Sequence, residues 1–267
     1  MKNYLQKKRI ILTGASSGIG REMSRLLVKE YGATVIGVGR AQEKLQALKA
    51  ELGENFTYYA FDVSNKENWE NFAKCLQTDG VCPDLLINNA GAFPQFLTFR
   101  QAKSETVERI LKNNFLSAVY GVETLMDVMN GRGGIVNICS SSALCSVVGT
   151  SAYSASKAAM KGFTESLILE ERNRYVGIIY PGTTKTELFR NDENTQNSAL
   201  DIVAMKPQKM AKKILKKIAK RKKRAVVGWD AKAMNLVAKI SPVLGLKLIC
   251  FVMRISKSKV FERVFEE

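Results

Sequence analysis

The sequence has 267 residues, of which 46% are hydrophobic and 25% are charged, so it can build a large buried core and is not a disordered chain. It contains no histidine, which excludes a His-ligated zinc site and a Ser–His–Asp triad and leaves acid–base chemistry to Tyr, Lys, Cys or carboxylates. The net charge of +16 is concentrated in residues 201–267, where 18 Lys and Arg face 5 Asp and Glu, a net of +13.

Along the chain, short β-branched runs alternate with longer amphipathic stretches. The short runs predict strands at 9–13, 33–39, 56–61, 84–88, 134–139, 175–180 and 225–228. The longer stretches predict helices near 18–31, 41–52, 65–78, 101–130, 152–172 and 207–221. Strict alternation implies right-handed βαβ crossovers, so we predict an α/β fold with a doubly wound, parallel, seven-stranded sheet in one domain. The polar segment near 182–206 is either an active-site lid or a surface loop.

The N-terminal residues and the cysteines indicate the cellular compartment. A charged start followed by a short apolar run predicts a first strand rather than a signal peptide. The five cysteines are scattered and form no C-x-x-C pair, which favours reduced thiols. We therefore expect a cytoplasmic protein.

The first predicted strand runs directly into a glycine-rich turn, TGASSGIG at 13–20. Glycines at such a turn let backbone amides approach a pyrophosphate, and the following helix offers the positive end of its dipole. The spacing is G-x-x-x-G-x-G, which differs from the common G-x-G-x-x-G pattern. The turn nevertheless predicts a dinucleotide site.

Tyr153 and Lys157 are four residues apart on a predicted helix, so they share one face. A free phenol has a pKa near 10, and we expect the neighbouring ammonium to lower the pKa of Tyr153. Such a pair can do the proton transfer for which many enzymes use histidine. Ser140 follows the fifth predicted strand, and its hydroxyl can polarise a substrate carbonyl.

Seven stretches, in this order, resemble the short-chain dehydrogenase/reductase family over about residues 8–230. They are TGASSGIG (13–20), Asp62 in FDVS, NNAG (88–91), Asn114 in NNFLS, Ser140 in CSSSA, the Tyr153–Lys157 pair and PGTTKT (181–186). The resemblance implies a Rossmann-like fold, a nicotinamide cofactor, no metal, and Asn114, Ser140, Tyr153 and Lys157 as catalytic residues. The cofactor contacts we predict are Gly14, Ser16, Ser17, Gly18, Ile19, Gly20, Arg40, Asp62, Val63, Asn89, Ala90, Gly91, Tyr153, Lys157, Pro181, Gly182, Thr184 and Thr186.

The residue after the second predicted strand bears on the choice of cofactor. An acid there would bind the ribose hydroxyls of NAD, but this chain has Arg40, which can pair with the 2′-phosphate of NADP. The resembled family has a second basic position just before the glycine that corresponds to Gly18, and in this chain that position is Ser17. The prediction is NADP(H), with NAD(H) left open.

Residues 206–224 hold eleven basic residues and no acid. Met210, Ile214 and Ile218 recur at i, i+4 and i+8, which predicts an amphipathic helix with a basic outer face. That face is either solvated surface or a contact with anionic lipid. Binding to nucleic acid is disfavoured, because no aromatic residue is interleaved.

The sequence beyond residue 230 is apolar but interrupted by Lys239, Pro242 and Lys247, so its uncharged runs are too short for a membrane span. We divide the chain into a catalytic domain at 1–230 and an extension at 231–267. The extension could cover the cleft, join subunits or lie at a membrane interface. Peripheral attachment to an anionic membrane therefore stays an alternative location.

Together these features predict an NADP(H)-dependent oxidoreductase that interconverts a ketone and a secondary alcohol. The substrate is expected to be lipophilic: a steroid, a bile-acid-like molecule or a 3-keto lipid. The alternative is a non-catalytic NADP-binding scaffold at an anionic membrane surface. The resemblance also implies a homodimer or homotetramer, and the residues expected at its contact are Leu116, Val119, Leu125 and Phe163.

Overall fold

The computed structural model describes residues 3–186, 204–256 and 258–265. Its strands are β1 (Arg9–Thr13), β2 (Thr34–Gly39), β3 (Phe56–Ala60), β4 (Leu85–Asn88), β5 (Gly134–Ile138), β6 (Val176–Pro181) and β7 (Arg224–Val227). Its helices are α1 (Gly18–Tyr31), α2 (Gln42–Leu52), α3 (Lys66–Thr78), α4 (Phe99–Leu111), α5 (Ser117–Leu125), α6 (Ser151–Glu170), α7 (Pro207–Ala219), α8 (Trp229–Ile240), α9 (Pro242–Ile255) and α10 (Glu262–Phe265).

The strands form one parallel sheet in the order β3-β2-β1-β4-β5-β6-β7, which confirms the predicted doubly wound fold. Successive residues of β1 point to opposite faces of this sheet. Ile10 and Leu12 pack in the core beneath α1 and α7, whereas Ile11 packs in the core beneath α3 and α5. Burial on both faces explains why the strands are continuous apolar runs.

The helix predicted near 101–130 is confirmed over most of its length, but it ends earlier and contains a π turn. In the structure α4 begins at Phe99, after a capping box formed by Thr98 and Gln101. A π-helical turn at Lys112–Leu116 separates α4 from α5, which ends at Leu125. Beyond α5 the chain turns beneath the sheet and buries Val128 and Met129, which is why their apolar pattern resembled a continuing helix.

The junction of β1 and β4 lies where the strand order reverses, and their carboxyl ends are bonded together. Thr13 Oγ1 accepts hydrogen bonds from the backbone amides of Asn89 and Ala90, each at 2.9 Å. Asn89 Nδ2 donates to the Thr13 carbonyl at 3.0 Å. Ligands of doubly wound folds bind at such a reversal, so this rigid junction fixes the floor of a ligand site.

The extension beyond β7 begins with two long helices, α8 and α9, separated by one residue, and ends in the short helix α10. Ser241 caps α9 by accepting a hydrogen bond from the Leu244 amide at 3.3 Å, and Pro242 occupies the first helical turn. Pro242 therefore begins a helix, as proline commonly does. Within the described parts of the chain, no helix has both the length and the apolar content to cross a membrane.

Candidate active site

A cleft of about 490 Å³ opens at the carboxyl edge of the sheet. One wall consists of the glycine-rich turn and the end of β4. The opposite wall consists of the segment after β5, α6 and the loop after β6. Helices α8 and α9 close over it. The extension thus contributes directly to this cleft.

Two glycines of the glycine-rich turn leave little room for a side chain beside the cleft. Gly14 and Gly18 have φ angles of +67° and +52°, in the left-handed region. A methyl group at Gly14 would lie 2.9 Å from Asn89 Nδ2, and one at Gly18 would lie 3.1 Å from Thr186 Cγ2. No acidic residue occupies the first turn of α1, so the positive end of that helix faces the cleft unopposed. This arrangement fits the pyrophosphate of a nicotinamide dinucleotide.

Tyr153 and Lys157 lie on the buried face of α6 and line the cleft. Lys157 Nζ is 5.7 Å from the centre of the Tyr153 ring and donates to the Ile138 carbonyl at 3.3 Å. Burial raises the pKa of Tyr153 to about 12, partly offset by a hydrogen bond with Ser140, and burial lowers the pKa of Lys157. The dominant effect on the pKa of Tyr153 in the protein alone is therefore desolvation, which raises it.

Ser140 stands at the end of β5, beside the tyrosine. Its Oγ accepts a hydrogen bond from the Ser142 amide at 3.1 Å and also bonds to Tyr153. These contacts fix the hydroxyl at the edge of the cleft. A carbonyl oxygen placed between Ser140 and Tyr153 would meet two hydroxyl donors, a pattern suited to polarising a ketone.

Asn114 lies in the π-helical turn and is fully buried. Its Oδ1 accepts from the Ala92 amide at 2.6 Å, and its Nδ2 donates to the Ala92 carbonyl at 2.9 Å and to Ser156 Oγ at 3.1 Å. A methyl group at Gly91 would lie 3.4 Å from Asn114 Oδ1 and 3.7 Å from Lys157 Nζ. The side chains of Asn114 and Lys157 thus both lie against Gly91, and π-turns such as this one are frequent at functional sites.

The predicted cofactor contacts divide into two groups. Gly14, Ser17, Gly18, Ile19, Gly20, Asn89, Ala90, Gly91, Tyr153, Lys157, Pro181, Gly182, Thr184 and Thr186 line the cleft. Four others lie outside its lining: Ser16, Arg40, Asp62 and Val63. Arg40 is exposed directly after β2. Asp62 Oδ1 accepts from the Ser64 amide at 2.9 Å, and the Val63 carbonyl accepts from Trp69 Nε1 at 2.9 Å, so both take part in local structure.

Two features of the cleft escaped the sequence analysis. The first is Asp230, at the start of α8. Its carboxylate accepts a hydrogen bond from the Thr183 amide at 2.6 Å and occupies the space where Gly182 and Gly228 lack side chains. It thereby joins α8 to the loop after β6. The Gly-Trp-Asp sequence at 228–230 resembles an ordinary helix start and gave no sign of this contact.

The second is a chain of aromatic rings that ends at the tyrosine. Phe93 lies 5.0 Å from the Tyr153 ring at 75°, Phe96 lies 5.0 Å from Phe93, and Phe261 lies 4.9 Å from Phe96 at 90°. All are edge-to-face pairs, the favoured arrangement. With Met253 of α9 they give the cleft an apolar wall.

The comparisons with known proteins agree with this geometry. The model of the short chain dehydrogenase family matches residues 8–197. A 3-oxoacyl-[acyl-carrier-protein] reductase of Vibrio harveyi is 34% identical over 200 residues, which cover 73% of this chain and 81% of that protein. A 3beta-hydroxysteroid dehydrogenase of Eggerthella lenta is 33% identical over 67% of this chain and 71% of that protein. The closed form of serine dehydrogenase complexed with NADP+ superposes with a TM-score of 0.70, at 30% identity over 77% of this chain and 87% of that one.

Proposed function

Because the chain belongs to the short-chain dehydrogenase/reductase family and is thus an oxidoreductase acting on CH–OH groups, we propose that it interconverts a ketone and a secondary alcohol using NADP(H). The observation that carries the proposal is the convergence of Ser140, Tyr153 and Lys157 at a cleft whose other wall is a glycine-rich turn. This brings hydroxyl donors and a cation next to a site built for a dinucleotide.

The bound nicotinamide cofactor would supply or accept the hydride, and the residues of the chain would control the oxygen and its proton. Ser140 holds the substrate oxygen against Tyr153, and Tyr153 Oη exchanges the proton. With its pKa raised to about 12, the phenol is fully protonated at neutral pH and is ready to act as an acid when a ketone is reduced. Asn114, next to Lys157, would hold the water through which that proton is replaced.

The preference for NADP(H) rests on Arg40. It is exposed at the end of β2, with no acidic residue there to repel a 2′-phosphate. The NADP+ complex of a structural neighbour supports this assignment. A single basic residue leaves NAD(H) as the second candidate.

The substrate we propose is lipophilic: a steroid, a bile-acid-like molecule or a 3-keto lipid. The support is the apolar wall formed by Phe93, Phe96 and Met253, together with relatives whose names specify an oxoacyl chain and a hydroxysteroid. The rival function, a non-catalytic NADP-binding scaffold, is disfavoured because it has no need for the assembled Ser140–Tyr153 pair.

A homodimer or homotetramer remains our proposal for assembly. Leu116, Val119 and Phe163 are partly exposed and available for a subunit contact. The inclusion of Leu125 in that contact was wrong, because its side chain is fully buried in the core beneath the sheet.

The test is Tyr153→Phe, which removes the exchangeable proton and little else. Loss of a general acid lowers the rate about 10²- to 10⁴-fold. We expect a loss of this size in the turnover rate, measured with a panel of ketones and secondary alcohols. The affinity for the cofactor, measured by fluorescence titration, should stay within about two-fold of the wild-type value. A Tyr153→Phe protein that turned over at the wild-type rate would refute the acid–base role.

A further inference from the structure

The helix pair α8–α9 (Trp229–Ile255) carries most of the exposed large apolar side chains of the described residues. Of the twelve, ten lie on these two helices. Among them Leu236 and Ile240 of α8 are 60% and 74% exposed, and Leu244 and Phe251 of α9 are 55% and 59% exposed. Large exposed apolar patches on soluble monomers commonly mark interaction sites, so this helix pair is a candidate interaction surface.

Each helix has an apolar side bordered by cations, and on α9 two further exposed apolar residues, Val243 and Leu246, lie outside that side. On α9, Leu244, Phe251 and Ile255 recur at intervals of seven and four residues, which places them on one face. Lys247 and Arg254 are seven residues apart and share an adjacent face.

Helix α8 has a similar arrangement of apolar and basic side chains. Leu236 and Ile240 are one helical turn apart, and the exposed Lys232 and Lys239 lie along one flank of them. From residue 231 to residue 256 the sequence contains four cations and no carboxylate. The one acid at the start of α8, Asp230, is directed inward to the Thr183 amide.

We propose that the α8–α9 pair is a docking surface for an anionic phospholipid bilayer. An apolar face bordered by cations is the arrangement of helices that lie in the plane of a membrane interface. The apolar side chains would enter the boundary between headgroups and acyl chains, and the four cations would contact lipid phosphates. The charge pattern argues against a second copy as the occupant, because pairing two such faces would bring eight cations together without a counterion.

The docking surface continues into the cleft. Leu248 and Val252 line the cleft and are also 46% and 53% exposed, so they belong to both. Docking would place the mouth of the cleft against the lipid. If the proposed function holds, an apolar ketone would then pass from the bilayer into the active site without crossing water.

The experiment is co-sedimentation of the full chain with phosphatidylcholine vesicles, with and without phosphatidylglycerol, at low and high salt. We expect binding only to anionic vesicles and release at high salt, because screening weakens surface charge contacts. The variants Leu244→Gln/Phe251→Gln and Lys247→Gln/Arg254→Gln should each bind at least ten-fold more weakly.

Two variants elsewhere serve as matched controls and should bind as the wild type does. Leu169→Gln removes an apolar side chain that is 72% exposed on α6. Lys213→Gln/Lys216→Gln removes two exposed cations of α7. Loss of binding confined to the α7 variant would overturn the assignment to α8–α9.

The two tryptophans provide an independent measurement. Trp229 is 63% exposed at the start of α8, whereas Trp69 is fully buried under the sheet. Brominated lipids should quench part of the fluorescence, and that quenchable part should vanish in Trp229→Phe. Quenching that persists without Trp229 would contradict docking through these helices.

Two further outcomes would overturn the proposal. One is a protein that stays in the supernatant with every vesicle. The other is a lower solution mass for the Leu244→Gln/Phe251→Gln variant than for the wild type, measured by light scattering. That result would show that this surface is a contact between copies of the chain. Reduction of a water-soluble ketone without vesicles tests the proposed function separately, and we expect these variants to retain it.

Discussion

Replacement of Phe261 by alanine tests whether the C-terminal segment supports the active site. Phe261 is 4% exposed and packs edge-to-face on Phe96, which leads through Phe93 to the Tyr153 ring. Truncation of a buried phenylalanine costs about 3–5 kcal/mol, and loss of the aromatic pair is included in that cost.

The remaining attachments of this segment are weaker. Arg263 Nη1 donates to Gln95 Oε1 at 2.8 Å, and Gln101 Nε2 donates to the Arg263 carbonyl at 2.9 Å. Both bonds are exposed, and such bonds contribute about 1 kcal/mol each. Val260, Val264 and Phe265 also pack against this cluster, but Phe261 is the only one of the four that is fully buried in it. Phe261→Ala should therefore loosen the segment while the sheet remains intact.

Loosening would remove part of the packing that supports Phe96 and Phe93 and would thereby loosen the wall beside Tyr153. A displacement of about 1 Å at a reacting group can reduce the rate up to about 10²-fold, so we expect kcat to fall about 10- to 100-fold. The melting temperature of the domain should change little. Steady-state kinetics with an apolar ketone, alongside a thermal melt, measures both.

Two controls sharpen this experiment. Phe261→Leu keeps most of the buried volume and should retain most of the activity. Phe99→Ala removes a phenylalanine that is 61% exposed and should have no effect. If Phe261→Ala kept kcat and KM within two-fold of wild type, the reasoning from ring contacts to the position of Tyr153 would be refuted.

Three further predictions concern charge. Lys157→Met should abolish turnover yet raise the melting temperature by about 2–4 °C per kcal/mol gained. Burial lowers the pKa of Lys157 below its ordinary 10.5, so the wild-type folded state loses stability as the pH falls below that value. The gain in melting temperature from Lys157→Met should therefore be larger at pH 7 than above pH 10.5. Equal gains at the two pH values would refute this reasoning. Arg40→Asp should raise KM for NADPH at least ten-fold and lower the preference for NADPH over NADH, and an unchanged preference would place the 2′-phosphate elsewhere. Because the pKa of Tyr153 is about 12, reductive kcat/KM should stay flat from pH 6 to 9, and a decline centred near pH 7 would contradict it.

Much of the fold was predictable because parallel strands buried on both faces leave an unmistakable apolar pattern. The seven strands lie within a residue or two of the predicted ranges. The helix predicted near 101–130 is the one that departs from the structure, and it does so for tertiary reasons. Val128 and Met129 continue the helical spacing of apolar residues, but they are buried in a turn. The π-turn around Asn114 does not change the spacing of apolar residues, so it could not be predicted from that spacing.

The residues of the candidate site likewise fall into those that could be predicted from the sequence and those that could not. Residues whose role depends on local geometry, such as Gly14 and the Tyr153–Lys157 pair, could be found from spacing. Asp230 and Phe261 could not, because each reaches the cleft from a segment distant in sequence. The burial that raises the pKa of Tyr153 could not be predicted either, since a four-residue spacing fixes the neighbour but not the degree of burial.

The interior position of β1 in the sheet has a consequence for folding during translation. β1 pairs with β2 on one side and β4 on the other, and three helices and two strands separate β1 from β4 in the chain. A nascent chain can complete β1-β2-β3 early, but one edge of β1, with its buried Ile10–Leu12, stays open until β4 has left the ribosome. Parallel pairings of this range form slowly, and open apolar edges aggregate. The strand that anchors the glycine-rich turn is thus also a strand whose apolar edge stays unpaired during synthesis, where it could pair wrongly.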